Sequence, residues 1–168
     1  MRLKYLFLLW AISVLVGCAT NPCTDLTLTS AFAIEPSEVR VKNWNLLIGT
    51  WHGSQRTKDG GVYNWVMRHS ANGLYMHESQ TVTPDGKVEY QVEVGEWGMG
   101  GNIYFSIFKG WIEDNKFKPA DPIDPINRDV YQIIELTDTL FRYKHLDSGE
   151  VYSTEKVADD FKLSEISL

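Results

Sequence analysis

The chain has 168 residues, of which 16 are basic and 22 acidic, for a net charge of −6 with histidine neutral. An acidic surplus is a poor electrostatic match for a phosphate backbone, so nucleic acid is not an expected partner. The length allows one compact domain with a real hydrophobic core.

The chain opens on Met1-Arg2-Leu3-Lys4, followed by an apolar run over 5–16 and then Gly17-Cys18. Two basic residues ahead of a short apolar stretch match the charged and hydrophobic regions of a secretory signal peptide. The run is shorter than the roughly 20 apolar residues a membrane-spanning helix needs, and Asn21, Pro22 and Asp25 follow closely. The sequence therefore predicts an exported chain with a cleaved signal over 1–17.

At the junction, Leu15-Val16-Gly17-Cys18 resembles the lipobox of bacterial lipoproteins, with an aliphatic residue three before the cysteine and a small residue just before it. The resemblance implies lipid on the Cys18 sulfur, cleavage after Gly17 and acylation of the new amino group. More than one acyl chain would anchor the protein stably in a membrane without a spanning segment. Ala19, rather than Asp, follows the cysteine. In a Gram-negative host that implies the outer membrane, facing the periplasm. Lipidation would consume one of the two cysteines and leave Cys23 without an intrachain disulfide partner, a spare thiol near the anchor.

Residues 18–42 read as the lipidated N-terminus and a tether, with Asn21-Pro22, a Thr/Ser-rich run and Glu35-Pro36-Ser37. Within it, 37–42 fits either a short helical turn or an extended lead-in. The domain proper is expected over 43–168. There the chain becomes short segments rich in Val, Ile, Tyr, Phe, Trp and Thr, punctuated by Gly, Asp, Asn and Pro, the composition of strands and turns. Strands are predicted over 46–55, 62–69, 74–83, 87–97, 103–111, 129–136, 139–146 and 150–157. Asn72-Gly73, Asp85-Gly86 and Gly149 supply the positive φ of tight hairpin turns. Strands joined so closely are antiparallel neighbours. The fold class is all-β. An up-and-down barrel of about eight strands removes the open edges such a sheet would otherwise leave, and a β-sandwich is the runner-up. The segment 112–128, with Pro119, Pro122 and Pro125, is expected to be a loop, because proline cannot donate to a ladder. It is either a lid or a stiffened connection.

Gly49-Thr50-Trp51 heads this series, and it resembles the opening Gly-x-Trp motif of lipocalins and related calycin barrels. The resemblance implies that Trp51 plugs the closed end and that a basic residue near the last strand packs on it, with Lys156 and Arg142 both suitable. A second Gly-x-Trp, Gly95-Glu96-Trp97, ends the fourth strand. The stretch after 157 is too short for the long C-terminal helix that lipocalins usually carry.

Strand alternation nominates an interior. Asn64 and Arg68 share one face of the second strand, which turns Tyr63, Trp65 and Met67 inward. On the fourth, Val88, Tyr90, Val92 and Val94 oppose Glu89, Gln91 and Glu93. On the fifth, Ile103, Phe105 and Ile107 oppose Tyr104, Ser106 and Phe108. The candidate ligand-contacting residues are Trp51, Tyr63, Trp65, Met67, Tyr90 and Phe105. They suit a small hydrophobic or amphipathic ligand, while an envelope structural or interaction protein with a filled barrel is the alternative.

No metal, cofactor or enzymatic activity is expected. His52, His69, His77 and His145 lack metal-ligand spacing, and Asp121 and Asp124 lack the ligand density of a calcium loop. Glu78, Glu89, Glu93 and Glu96 lie on neighbouring strands near His69 and His77 and could form an acid–base pair, but alternation equally places them on a solvated face. No nucleophile elbow, phosphate loop or zinc motif occurs.

Overall fold

The computed structural model describes residues 37–163. The signal segment 1–17, Cys18, Ala19, Cys23, most of the expected tether and the last five residues lie outside the described residues. One helix leads in, α1 (Glu38–Leu47). Ser37 caps it, its hydroxyl accepting from the Arg40 amide at 3.3 Å. The ambiguity over 37–42 thus resolves as helix. The first strand begins at Gly49 rather than at 46, because Leu46 and Leu47 complete α1.

The strands are β1 (Gly49–Arg56), β2 (Val62–His69), β3 (Leu74–Val82), β4 (Val88–Gly100), β5 (Ile103–Glu113), β6 (Lys116–Pro119), β7 (Arg128–Leu136), β8 (Leu140–His145) and β9 (Val151–Val157). All pairings are antiparallel, and consecutive strands are paired at every step except β6 to β7. Two further ladders complete the ring: β1 pairs with β9 from Thr50↔Val157 to Gly53↔Thr154, and β5 pairs with β7. Eight strands form a closed up-and-down barrel, and β6 hangs from the end of β5 as a ninth. The sandwich is not formed.

β6 corrects the expectation that 112–128 is all loop. Asp114 and Asn115 adopt φ of 52° and 59°, both left-handed. A two-residue turn of that kind matches strand twist and folds Lys116–Pro119 back on β5. Pro119 is tolerated because it is the last residue of an edge strand. The remainder of the segment is a loop with a single 3-10 turn, Pro125–Asn127, capped by Asp124.

The β4–β5 register shifts between Val94 and Gly95, which face Gly110 and Phe108 respectively, leaving Lys109 as the extra residue. Such a bulge bends the wall, and it also resets alternation. Phe108, opposite Gly95, and Trp111, opposite Glu93, therefore both turn inward despite their odd separation.

The core occupies the end of the barrel that α1 covers. Leu47, Trp51, Tyr75, Trp97, Met99, Tyr104, Phe141 and Tyr143 form one buried cluster. Trp51 is fully buried, and its indole Nε1 donates to the Leu47 carbonyl at 2.8 Å, fastening the helix to the first strand. Trp44 of α1 stacks on Trp97 with ring centroids 4.1 Å apart. Lys156 of β9 supplies the cation over Trp51, its Nζ 5.1 Å from the ring centroid, and donates to the Leu46 carbonyl. Arg142 instead pairs with Glu135 on the outer wall.

Candidate functional site

Beyond the aromatic plug, the barrel opens into a cavity of about 850 Å³ at the end opposite α1. That size suits a small organic molecule. Successive inward positions build it layer by layer. Met67, His77, Glu93 and Trp111 stand side by side across β2, β3, β4 and β5. Tyr63 and Trp65 lie further towards the mouth on β2, and Asp129, Tyr131, Tyr143 and Tyr152 come from β7, β8 and β9. The β5–β7 connection supplies part of the rim through Asp121, Asp124, Ile126 and Asn127.

The aromatic wall depends on a small residue opposite it. Gly53 of β1 pairs with Trp65 of β2, and a Cβ on Gly53 would lie 2.2 Å from the Trp65 ring. Glycine lets the indole lie flat against β1, where it stacks with Tyr63 at 5.2 Å and meets Tyr152 edge-on at 5.8 Å. Tyr143 stacks in turn on Tyr152 at 5.4 Å. Removal from water pushes the Tyr63, Tyr75, Tyr131 and Tyr143 phenols well above their ordinary pKa. Tyr152 is pushed up to about 12, by burial first and then by its bond to Glu150. These hydroxyls remain neutral and available to donate.

Two carboxylate–imidazole pairs bear on this cavity: Glu93 and His77 both line it, and Asp129 lines it with His145 as a partner outside the lining. Tyr63 Oη lies 3.3 Å from His77 Nε2, and His77 Nδ1 lies 3.5 Å from a Glu93 oxygen. The other Glu93 oxygen accepts from Gln91 at 2.9 Å. With the Tyr63 phenol donating to Nε2, the imidazole proton sits on Nδ1, which faces the Glu93 carboxylate as a close polar neighbour. On the other wall, His145 Nε2 lies 3.2 Å from Asp129, and its Nδ1 is held by Ser148. Each chain of contacts fixes a carboxylate at the cavity surface.

Of the six residues nominated from sequence, Tyr63, Trp65 and Met67 line the cavity. Trp51 points inward but belongs to the plug beneath it. Tyr90 and Phe105 do not face the interior. Tyr90 is 57% exposed on the outer wall, donating to Glu78, which also pairs with Arg68. Phe105 lies on the outer wall across Gly98, where a Cβ would meet its ring at 2.3 Å. Both errors have one cause. Apolarity points to the face of β4 and β5 that carries Tyr90 and Phe105, whereas the inward face carries Glu93 and Ser106 on a polar cavity and Tyr104 in the plug. His77 and Glu93, weighed from sequence only as an acid–base pair, also line the cavity, and Tyr75, Asp129, Tyr131, Tyr143 and Tyr152 join them from strands whose faces alternation did not assign. The available signal was one tyrosine on each of β7, β8 and β9, Tyr131, Tyr143 and Tyr152.

No family model and no curated protein matches the chain. Among solved structures it is similar to a lipocalin-like protein from Bacteroides uniformis, at 16% identity and a TM-score of 0.43, over 67% of this chain and 99% of that one. The likeness is loose, and the barrel stands on its own strand pairing.

The remaining expected acid–base groups do not converge on the cavity. Glu78 sits with Arg68 outside, and Glu96 pairs with Lys109. His69 is buried within the plug, with Nε2 3.0 Å from Tyr104 Oη, and His52 packs against Phe161. Among the described residues no group of three His, Cys, Asp or Glu is placed to hold a metal ion.

Proposed function

We propose that the protein binds a small amphipathic molecule inside its barrel while held on a membrane by lipid on Cys18. The observation that carries the first part is the cavity of about 850 Å³, open at one end and walled by aromatic faces with a few oriented polar groups. An interior of that size weighs against a barrel filled by its own side chains. The mixture of phenols, indoles, imidazole and carboxylate suits a molecule with both an apolar body and a polar group, rather than a bare hydrocarbon.

Titration with N-phenyl-1-naphthylamine, a neutral dye that brightens in apolar surroundings, tests the site. Saturable brightening is expected, and Ser106→Phe, which puts a ring into the cavity, should abolish it. Undiminished binding to a folded Ser106→Phe protein would place the dye elsewhere and overturn the reading. The anchor reading rests on Leu15-Val16-Gly17-Cys18, and Ala19 supports the outer membrane, facing the periplasm, in a Gram-negative host. Cys18→Ser should end incorporation of labelled palmitate and release the protein from membranes. Unchanged detergent partitioning of that variant would refute the anchor.

A further inference from the structure

The charges around the cavity are strongly one-sided. Its lining includes five carboxylates, Glu93, Asp121, Asp124, Asp129 and Glu150, against two basic residues, Arg56 and Lys58. Both basic residues belong to the rim. Arg56 ends β1 on its outward-facing register, opposite Val62, and Lys58 sits in the following turn, where it is already paired with Glu150 at 3.0 Å. Below the rim, the lining contains carboxylate and imidazole but no lysine or arginine. Glu93 and Asp129 are the two acids carried on barrel strands, and their partners are His77 and His145.

The aromatic walls add to this field. Five tyrosines, two tryptophans and one phenylalanine line the cavity. The face of an aromatic ring carries negative potential and attracts cations, most strongly where water is excluded. The field of the two strand carboxylates also spreads through the interior: Glu93 and Asp129 both oppose ionisation of Tyr75, and Asp129 opposes that of Tyr131 and Tyr152 as well. An anionic head group would enter against both the carboxylates and the ring faces, with no cation below the rim to receive it.

We infer that the cavity selects an organic cation, an amine or quaternary ammonium on an apolar body, with Glu93 and Asp129 receiving the charge and the tyrosine–tryptophan walls receiving the body. This deepens the proposed function and rests on the cavity being a binding site. Each carboxylate oxygen has two lone pairs, so Glu93, beside His77 and Gln91, and Asp129, beside His145, retain acceptor capacity for an ammonium group. The rim acids Asp121 and Asp124 would raise the local concentration of cations at the mouth, while Glu150 is already paired with Lys58.

Three probes sharing one body separate charge from shape: 4-phenylbutylamine, 4-phenylbutanol and 4-phenylbutyrate, titrated calorimetrically into the purified protein at neutral pH. The amine should bind at least tenfold more tightly than the alcohol, and the butyrate most weakly. Glu93→Gln and Asp129→Asn should each weaken the amine several-fold and leave the alcohol unchanged. Glu96→Gln, on the outer wall, should alter neither and controls for net charge. Equal binding of amine and alcohol, or tightest binding of the butyrate, would overturn the cation inference while leaving the cavity intact as a site. So would failure of all three where N-phenyl-1-naphthylamine still binds in a manner blocked by Ser106→Phe. Failure of the probes together with the dye would remove the binding-site reading itself.

Discussion

His69 offers a quantitative test of how dry the plug is. The ring is 3% exposed, meets Trp97 edge-on at 4.9 Å, and places Nε2 3.0 Å from the Tyr104 hydroxyl. Its Nδ1 has no hydrogen-bond partner. Burial, with smaller contributions from His77 and Lys156, lowers its pKa from 6.5 to about 3. The folded state therefore refuses a proton that the unfolded chain accepts. Stability attributable to the neutral ring is intact above the unfolded pKa of 6.5 and is lost as pH falls towards 3. Within that window each pH unit costs about 1.4 kcal/mol, so the loss at pH 5 relative to pH 7 is about 2 kcal/mol. Set against a total stability of roughly 5–15 kcal/mol for a typical domain, this is large enough to measure by urea denaturation. His69→Gln, which retains a polar group but cannot protonate, should be less stable at pH 7 yet should lack this increment of acid sensitivity. The other titrating groups are common to both proteins and cancel in the difference. Identical pH dependence of wild type and His69→Gln would show that the ring is hydrated and that the plug is not sealed.

Other expectations follow from particular contacts. Trp51→Ala should destabilise the domain by about 3–5 kcal/mol in chemical denaturation, since it empties the centre of the plug and removes the bond that holds α1. Gly53→Ala should displace Trp65 and cost about 1–3 kcal/mol, visible as changed tryptophan fluorescence, because the added Cβ falls within the ring. Lys156→Met should cost about 0.5–1 kcal/mol through loss of the cation over Trp51. Arg68→Met, which strands Glu78 on the outer wall, should cost about 1–3 kcal/mol and be partly rescued by Glu78→Gln in a double-mutant cycle.

Strand positions and connectivity were largely legible in the sequence, because hairpin turns carry strong local chemistry. The second strand matches the predicted 62–69 at both ends, and the antiparallel order followed from the short turns at Gly73, Gly86 and Gly149. The beginning of β1 was less legible, since Leu46-Leu47-Ile48 is equally apolar as helix end or strand, and the helix is held there by the Ile48 amide donating to the Trp44 carbonyl and by the Trp51–Leu47 contact. β6 was hidden by the proline content of its segment, whose hairpin depends on two non-glycine residues in left-handed conformation. The site was the least legible part. Apolarity identifies the buried face of a strand when the inside is a packed core, and it succeeded on β2. It failed on β4 and β5, where the inside is a cavity and the outer wall carries Val88, Tyr90 and Phe105. The pairing of His77 with Glu93, and of His145 with Asp129, depends on cross-strand register, which spacing along one strand does not reveal.

The account turns on whether a molecule enters the barrel. Three methionines report on this from different places: Met67 lines the cavity, Met99 lies in the plug, and Met76 is 39% exposed on the outer wall. Methyl NMR of protein carrying labelled methionine, titrated with N-phenyl-1-naphthylamine, should move the Met67 resonance saturably and leave Met76 in place. Saturable movement of Met76 with Met67 unmoved would contradict the account, because the ligand would then bind the outer wall and not the cavity.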